Sequence, residues 1–250
     1  MENTSIMKNI FKIHPLVYLF AFIAIFTASF QEFFVISTLI CIHEIGHSLA
    51  VFLCKGTVKE IMIYPLGGIS KFYMERNISF TKEFWILIAG PIFQCLAFLL
   101  LMIIFPNKGE MIENYHVKIL FFNLLPIYPL DGGKLLFLCF QSIFPWKKSL
   151  QVSILIGYFF LLLFFFFLEW KWNLWIMIFL LISLLIKEHR QVSYQYHKFL
   201  LERYLYSYSF PKWEIIHHKN DFYREKYHLI EEEEKYYWEE DYFKKHFKKD

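Results

Sequence analysis

The sequence predicts an all-α polytopic membrane protein: six transmembrane helices, a short β-rich membrane-associated loop and a small charged C-terminal tail. Three observations predict it. Of 250 residues, 57% are hydrophobic and 31 are Phe, more than a soluble core needs. The apolar residues fall in runs long enough to cross a hydrocarbon layer of about 30 Å. The charges are segregated: residues 187–250 hold 13 of the 26 Lys+Arg and 13 of the 23 Asp+Glu. Three regions follow: an arm over 1–13, a six-span domain over 14–188 and a tail over 189–250. A net charge of only +3 gives no broad basic face, so no direct nucleic-acid partner is expected.

The arm is polar and carries Lys8 and Lys12. No cleavable signal-peptide pattern follows it. From His14-Pro15 to about Phe30 the chain is apolar, the first span. Gln31-Glu32 interrupt it, and Phe33–Cys54 is the second. Residues 55–83 change character. The stretch from Lys59 to Phe72 is rich in β-branched and aromatic residues around Pro65 and Gly67-Gly68, which reads as short strands joined by a turn. It is either a plain connecting hairpin or an open edge able to bind an extended peptide.

Phe84–Phe105 is a third span, with Ala89-Gly90-Pro91 suiting close helix approach and a kink. Tyr115 to Phe140 is a fourth, irregular segment, because Pro126, Pro129 and Gly132-Gly133 cannot propagate a straight helix. Broken helices at membrane depth line cavities. Residues 150–168 and 172–186 make the fifth and sixth spans, with Trp170 and Trp172 as interfacial anchors. In the tail, Tyr194 to Tyr206 is amphipathic and suits a membrane surface. The run Glu231–Glu234 and the Lys-rich terminus read as solvated faces or as partly disordered, and His217-His218 as surface.

The cationic residues place the termini. Lys8, Lys12, Lys55, Lys59, Lys71, Arg76, Lys82, Lys134, Lys147 and Lys148 share one side. Lys108, Lys118 and Lys171, offset by Glu32, Glu110, Glu113 and Glu169, lie on the other. The positive-inside rule then puts both termini in the cytoplasm of a multi-pass protein. The four cysteines, Cys41, Cys54, Cys95 and Cys139, all lie in or beside apolar runs and form no C-x-x-C pair, so free thiols are expected.

The chemistry concentrates in the second span. His43-Glu44-Ile45-Gly46-His47 is an H-E-x-x-H motif. Four residues are a little over one helical turn, so His43 and His47 stand on one face, about 6 Å apart in rise. Two neutral imidazoles at that spacing suit one zinc ion, and Glu44 beside them suits a general base. Ionisable groups in hydrocarbon cost roughly 2.5–3.5 kcal/mol each on insertion scales, so three together need a compensating role. Helix-interface hydrogen bonds are the alternative. A catalytic zinc takes three protein ligands, and Asp131 is the remaining acidic residue well inside an apolar region. Its Gly132-Gly133 neighbours allow close backbone approach. The alternative is that Asp131 caps the following helix.

His43-Glu44-x-x-His47 followed by Asn123-Leu-Leu-Pro126-Ile-Tyr-Pro129-Leu-Asp131-Gly132 resembles the site-2 protease family of intramembrane zinc metalloproteases. Ile13-His14-Pro15-Leu16, Pro65-Leu-Gly-Gly-Ile69, Ala89-Gly90-Pro91 and Phe199-Leu-Leu-Glu-Arg-Tyr204 resemble its stage IV sporulation protein FB branch. The resemblance implies that His43, His47 and Asp131 hold Zn2+ and that Glu44 is the catalytic base. It further implies that Asn123, Pro126 and Pro129 shape the substrate cleft; Gly67 and Gly68 are substrate-binding candidates through the open strand edge of the 59–72 stretch. It implies an endopeptidase acting on a membrane-associated pro-protein, the pro-sequence of a sporulation sigma factor of the pro-sigma-K kind. Inhibitory membrane proteins of the sporulation checkpoint would be its partners, with the lipid bilayer and a homo-oligomer as further associations. The location implied is a bacterial cell membrane or the outer forespore membrane. Two departures stand out. Gln94 lies where Asn often follows the Ala-Gly-Pro turn, and the pattern after Tyr204 is unlike the nucleotide-sensing CBS domain common in this branch. Rival readings are a site-2-type protease with another membrane substrate and, from the same broken helices, a metal transporter. A transporter would place ligands on both sides of the midplane; the sequence has one cluster.

Overall fold

The computed structural model of the protein describes residues 11–64, 67–73, 78–167, 172–206, 208, 210–232 and 234–247. The chain forms two compact units, Met1–Asn123 and Leu124–Asp250.

The first unit begins with β1 (Phe11–Ile13), which lies parallel to β2 (Thr57–Tyr64); β2 pairs antiparallel with β3 (Gly67–Tyr73). The end of the expected polar arm is therefore a strand. Lys12 bridges to Glu60 across the pair at 2.9 Å. The register closes Tyr64 against Gly67 and Ile63 against Gly68. Both glycines thus belong to a strand rather than to the turn, while Pro65 lies outside the described residues. Helix α1 (Pro15–Phe26) starts at His14, whose Nδ1 accepts the Leu16 N–H at 3.3 Å, and Pro15 occupies the first turn, where its missing donor costs nothing.

Helices α2 (Phe30–Leu53) and α3 (Phe80–Ile104) are the body of this unit. At 1.5 Å per residue each exceeds the hydrocarbon thickness. They press together where α2 lacks a side chain. A Cβ on Gly46 would lie 2.7 Å from the Ala89 carbonyl oxygen and 2.8 Å from Phe93 Cβ. Helix α4 (Gly109–Asn123) closes over them, and Val35, Leu39, Ala97, Leu101 and Ile112 form a shared buried cluster.

The second unit opens with a non-helical segment, Leu124–Leu130, containing a cis Tyr128–Pro129 peptide. The irregular fourth segment of the sequence reading is thus a helix, a break and a new helix, α5 (Asp131–Gln141). Its glycines let it fold back on the break. A Cβ on Gly132 would meet the Leu124 carbonyl oxygen at 2.1 Å, and one on Gly133 the Tyr128 nitrogen at 2.3 Å. Helix α6 (Trp146–Phe167) packs on α7 (Trp172–Leu205), with Gly157 against Leu185.

The tail is folded, not merely solvated. Glu231 and Glu232 of the charged run end β5 (Tyr227–Glu232), which pairs parallel with β4 (Trp213–Ile216) and antiparallel with β6 (Lys235–Trp238). Ile216 and Ile230 from this sheet meet Tyr196, Phe199 and Leu200 of α7. Phe222 and, from α8 (Glu239–Phe247), Tyr242 and Phe243 complete the core. Trp146 at the start of α6 packs against the same core.

Among the described residues, three helices are long and apolar enough to cross a membrane: Phe30–Leu53, Phe80–Ile104 and Trp146–Phe166. Their outer faces expose Phe52, Leu53, Ile103 and Phe166 by 71–76%. Lipid, not water, is the solvent those faces fit, and the chain is an integral membrane protein.

Candidate metal centre

His43, Glu44 and His47 lie on α2 and are all buried, at 2%, 8% and 6% exposure. The i, i+4 spacing sets the two imidazoles edge to face with ring centroids 4.8 Å apart, and their Nε2 atoms stand 3.1 Å from each other.

What lies behind each ring decides what those nitrogens are. His47 Nδ1 is 2.8 Å from the Ile86 carbonyl oxygen, which can only accept, so Nδ1 carries the proton. His43 Nδ1 is 3.0 Å from Gln94 Oε1 and donates to it. Both protons therefore point outward, and two Nε2 lone pairs face each other. That arrangement is repulsive unless a cation lies between them. Tetrahedral zinc with Zn–N of about 2.0–2.1 Å sets its nitrogen ligands roughly 3.3 Å apart. The donor set and its spacing fit zinc. The hydrogen bonds behind the rings are of the kind that orient metal-binding histidines.

Gly90 on α3 is the floor of the site. A Cβ there would lie 2.3 Å from His47 Nε2 and 2.8 Å from His43 Nε2. Gln94, one turn further, is fully buried and also donates from Nε2 to the His116 carbonyl oxygen at 3.1 Å. His116 stacks on Phe98 with centroids 4.3 Å apart. Sequence reasoning noted Gln94 only as a departure and missed Gly90's contact and His116. The available signal was a lone amide, Gln94, in an apolar run four residues after a glycine.

The other expected site residues are placed by their own elements. Asn123 ends α4. Pro126 and Pro129 lie in the break before α5. Asp131 is the first residue of α5, 7% exposed, and its Oδ1 lies 3.3 Å from Lys134 Nζ. The N-cap position belongs to Leu130, and Asp131 is the acidic residue of the first turn. Gly67 and Gly68 are in β3.

The sequence profile of peptidase family M50 matches residues 31–115 and 110–164. The chain is 32% identical to stage IV sporulation protein FB of Bacillus subtilis over 202 residues, covering 77% of this chain and 70% of that one. It is 27% identical over 127 residues to a zinc metalloprotease of Methanocaldococcus jannaschii, covering 47% of this chain and 37% of the relative. A solved site-2 protease structure from Methanocaldococcus jannaschii aligns with a TM-score of 0.49 at 20% identity, covering 73% of this chain and 88% of that chain. The first two findings, with a histidine pair arranged for one zinc ion, place this chain in peptidase family M50, the site-2 proteases: it is a membrane-embedded zinc metallopeptidase.

Proposed function

We propose that this peptidase removes the pro-sequence of a membrane-associated sporulation sigma factor of the pro-sigma-K kind. The support is the likeness to a relative named for stage IV of sporulation, over most of both chains. The observation that carries the chemistry is the pair of Nε2 atoms 3.1 Å apart, each with its Nδ1 proton committed elsewhere.

In this reading His43 and His47 are two ligands and Asp131 is the third. A carboxylate completes the donor set of a catalytic zinc, and Asp131 is held buried where α5 begins. Zinc bound there supplies a Lewis acid and makes water acidic near neutral pH. Glu44 takes the proton of the attacking water and delivers it to the leaving amine nitrogen. Asn123, Pro126 and Pro129 shape the cleft. The outer edge of β3, with Gly67 and Gly68, pairs with substrate backbone. A helical substrate hides its carbonyls in internal bonds, so it must unwind, and strand pairing compensates the freed groups.

The finer topology belongs to the same reading. Six spans are reached when α1, α4–α5 and the apolar half of α7 are counted with the three long helices. Both termini are then cytoplasmic, in the cell membrane or outer forespore membrane. Inhibitory membrane partners of the sporulation checkpoint would restrain the enzyme.

Co-expression with a pro-sigma-K-type substrate, read by gel shift, tests the proposal. The wild type is expected to shorten the substrate. Glu44→Gln is expected to retain zinc and lose cleavage by at least 100-fold, the range of a general base. Processing by Glu44→Gln at the wild-type rate would remove Glu44 from its role. An unprocessed substrate in the wild type, with zinc bound, would point to a different membrane protein as substrate.

A further inference from the structure

We propose that Gln94 is a positioning residue that sets the tautomer of His43 and so readies its Nε2 for metal. The inference rests on the metal reading of the histidine pair and adds a residue to it.

The argument starts from a group that cannot change its role. The His116 carbonyl oxygen on α4 is an acceptor only. It lies 3.1 Å from one end of the Gln94 amide, so that end must be the NH2. The opposite assignment would set two oxygens against each other in a fully buried place. Once the NH2 faces α4, Oε1 faces His43 Nδ1 at 3.0 Å. An amide oxygen only accepts, so Nδ1 must carry the proton. A neutral imidazole has one proton, and Nε2 is left with its lone pair. Each step follows from the last, from a main-chain carbonyl on α4, through a side chain on α3, to a ligand on α2.

The two histidines are not held alike. His47 is oriented by the Ile86 main-chain carbonyl, which no substitution removes. Gln94 is the side chain that orients His43. Its amide is boxed in: Phe98, one turn on, stacks against His116 with planes 14° apart. Its NH2 lies 3.4 Å from His116 Nδ1 as well as 3.1 Å from the carbonyl.

The test uses the full chain purified in detergent, with zinc affinity measured by competition against a chelator and with cobalt(II) as a spectroscopic stand-in. Gln94→Met keeps length and apolar packing but removes the acceptor. It is expected to weaken zinc binding by 10- to 100-fold, the range seen when such supporting hydrogen bonds are lost. It should also weaken the cobalt d–d band of the four-coordinate site. Gln94→Glu is the rescue. Its carboxyl oxygen restores the acceptor toward His43 Nδ1 that the amide oxygen supplies, and it should bind zinc within a few-fold of wild type. Thermal unfolding of the metal-free proteins separates this from a folding defect.

Equal zinc affinity in wild type and Gln94→Met would overturn the proposal. So would Gln94→Glu binding as weakly as Gln94→Met while both unfold like the metal-free wild type. A wild-type chain that takes up no zinc in the same titration would instead overturn the metal reading itself, and the role of Gln94 with it.

Discussion

At the scale of single residues, the site is a set of directions imposed on hydrogen bonds. The Nε2 atoms of His43 and His47 are left open to a metal because an amide and a backbone carbonyl behind the rings take their Nδ1 protons. The motif was legible in the sequence because its geometry is local: four residues apart on a helix are neighbours whatever else the fold does. The support was not, because Gln94, Ile86 and His116 reach the motif only through helix crossings. Gly90 belongs with them. Its replacement by Ala would drive a methyl into both imidazoles, neither of which can swing away without breaking its Nδ1 hydrogen bond. Gly90→Ala is expected to lower zinc affinity at least 10-fold. Metal analysis of the purified variant, against the wild type dialysed with the same chelator, checks this.

Between elements, the decisive contacts are made by what is missing. The α2–α3 crossing is close because Gly46 meets the Ala89 carbonyl and Phe93 with nothing between. Backbone cannot yield as a side-chain end can. Gly46→Ala is therefore expected to destabilise the first unit by about 1–3 kcal/mol, the usual range for overpacking. A lower unfolding midpoint of the metal-free protein in detergent is the measurement. The same logic applies to the break before α5, where Gly133 lies against the Tyr128 nitrogen and the Ile127 carbonyl carbon. Gly133→Ala is expected to cost more than Gly46→Ala in the same assay, because both opposing atoms are main chain. These elements were legible in outline. Prolines and glycines announced a broken segment between Asn123 and Asp131, and β-branched residues announced the strands near 59–72. Their boundaries were less so: Gly67 and Gly68 read as a turn, yet pairing partners on β2 draw them into a strand.

For the molecule as a whole, the largest departure from the sequence reading is the tail. Its charges suggested a solvated surface, but some of them are interior parts. Arg203 on α7 gives Nη1 to the carbonyls of Tyr223 and Arg224, and Nη2 to the Lys226 carbonyl and to Glu239 at 2.8 Å. Glu239 in turn accepts from His228 Nδ1, and His228 Nε2 accepts the Tyr223 N–H at 3.0 Å. His228 is fully buried, and burial holds its imidazole below the ordinary histidine range, against the opposing pull of Glu239. Arg203 offsets that pull, while Glu214 adds to it more weakly. With both nitrogens committed, a second proton has no place. The unfolded chain takes that proton near pH 6.5 and the folded one only lower. The tail is thus fully stabilised above about pH 6.5 and loses stability as pH falls from there, by up to about 1.4 kcal/mol per unit for one proton. Hydrogen exchange of residues 213–247 between pH 7.5 and 5 reads it, and His228→Gln should flatten the dependence. Alternation in Tyr227-His-Leu-Ile-Glu was the available sign of a strand, masked by the acidic run that follows.

Helix α7 runs unbroken for 34 residues, about 51 Å, from Trp172 to Leu205, and carries Arg203 into the tail core. A rod of that kind keeps rotational phase. One residue added between Lys187 and Arg190 would turn everything beyond it by about 100° and take Tyr196 and Phe199 off Trp146, whereas an added heptad would nearly restore the angle while lifting the sheet by some 10 Å. The tail is therefore geared to the long helix that carries it.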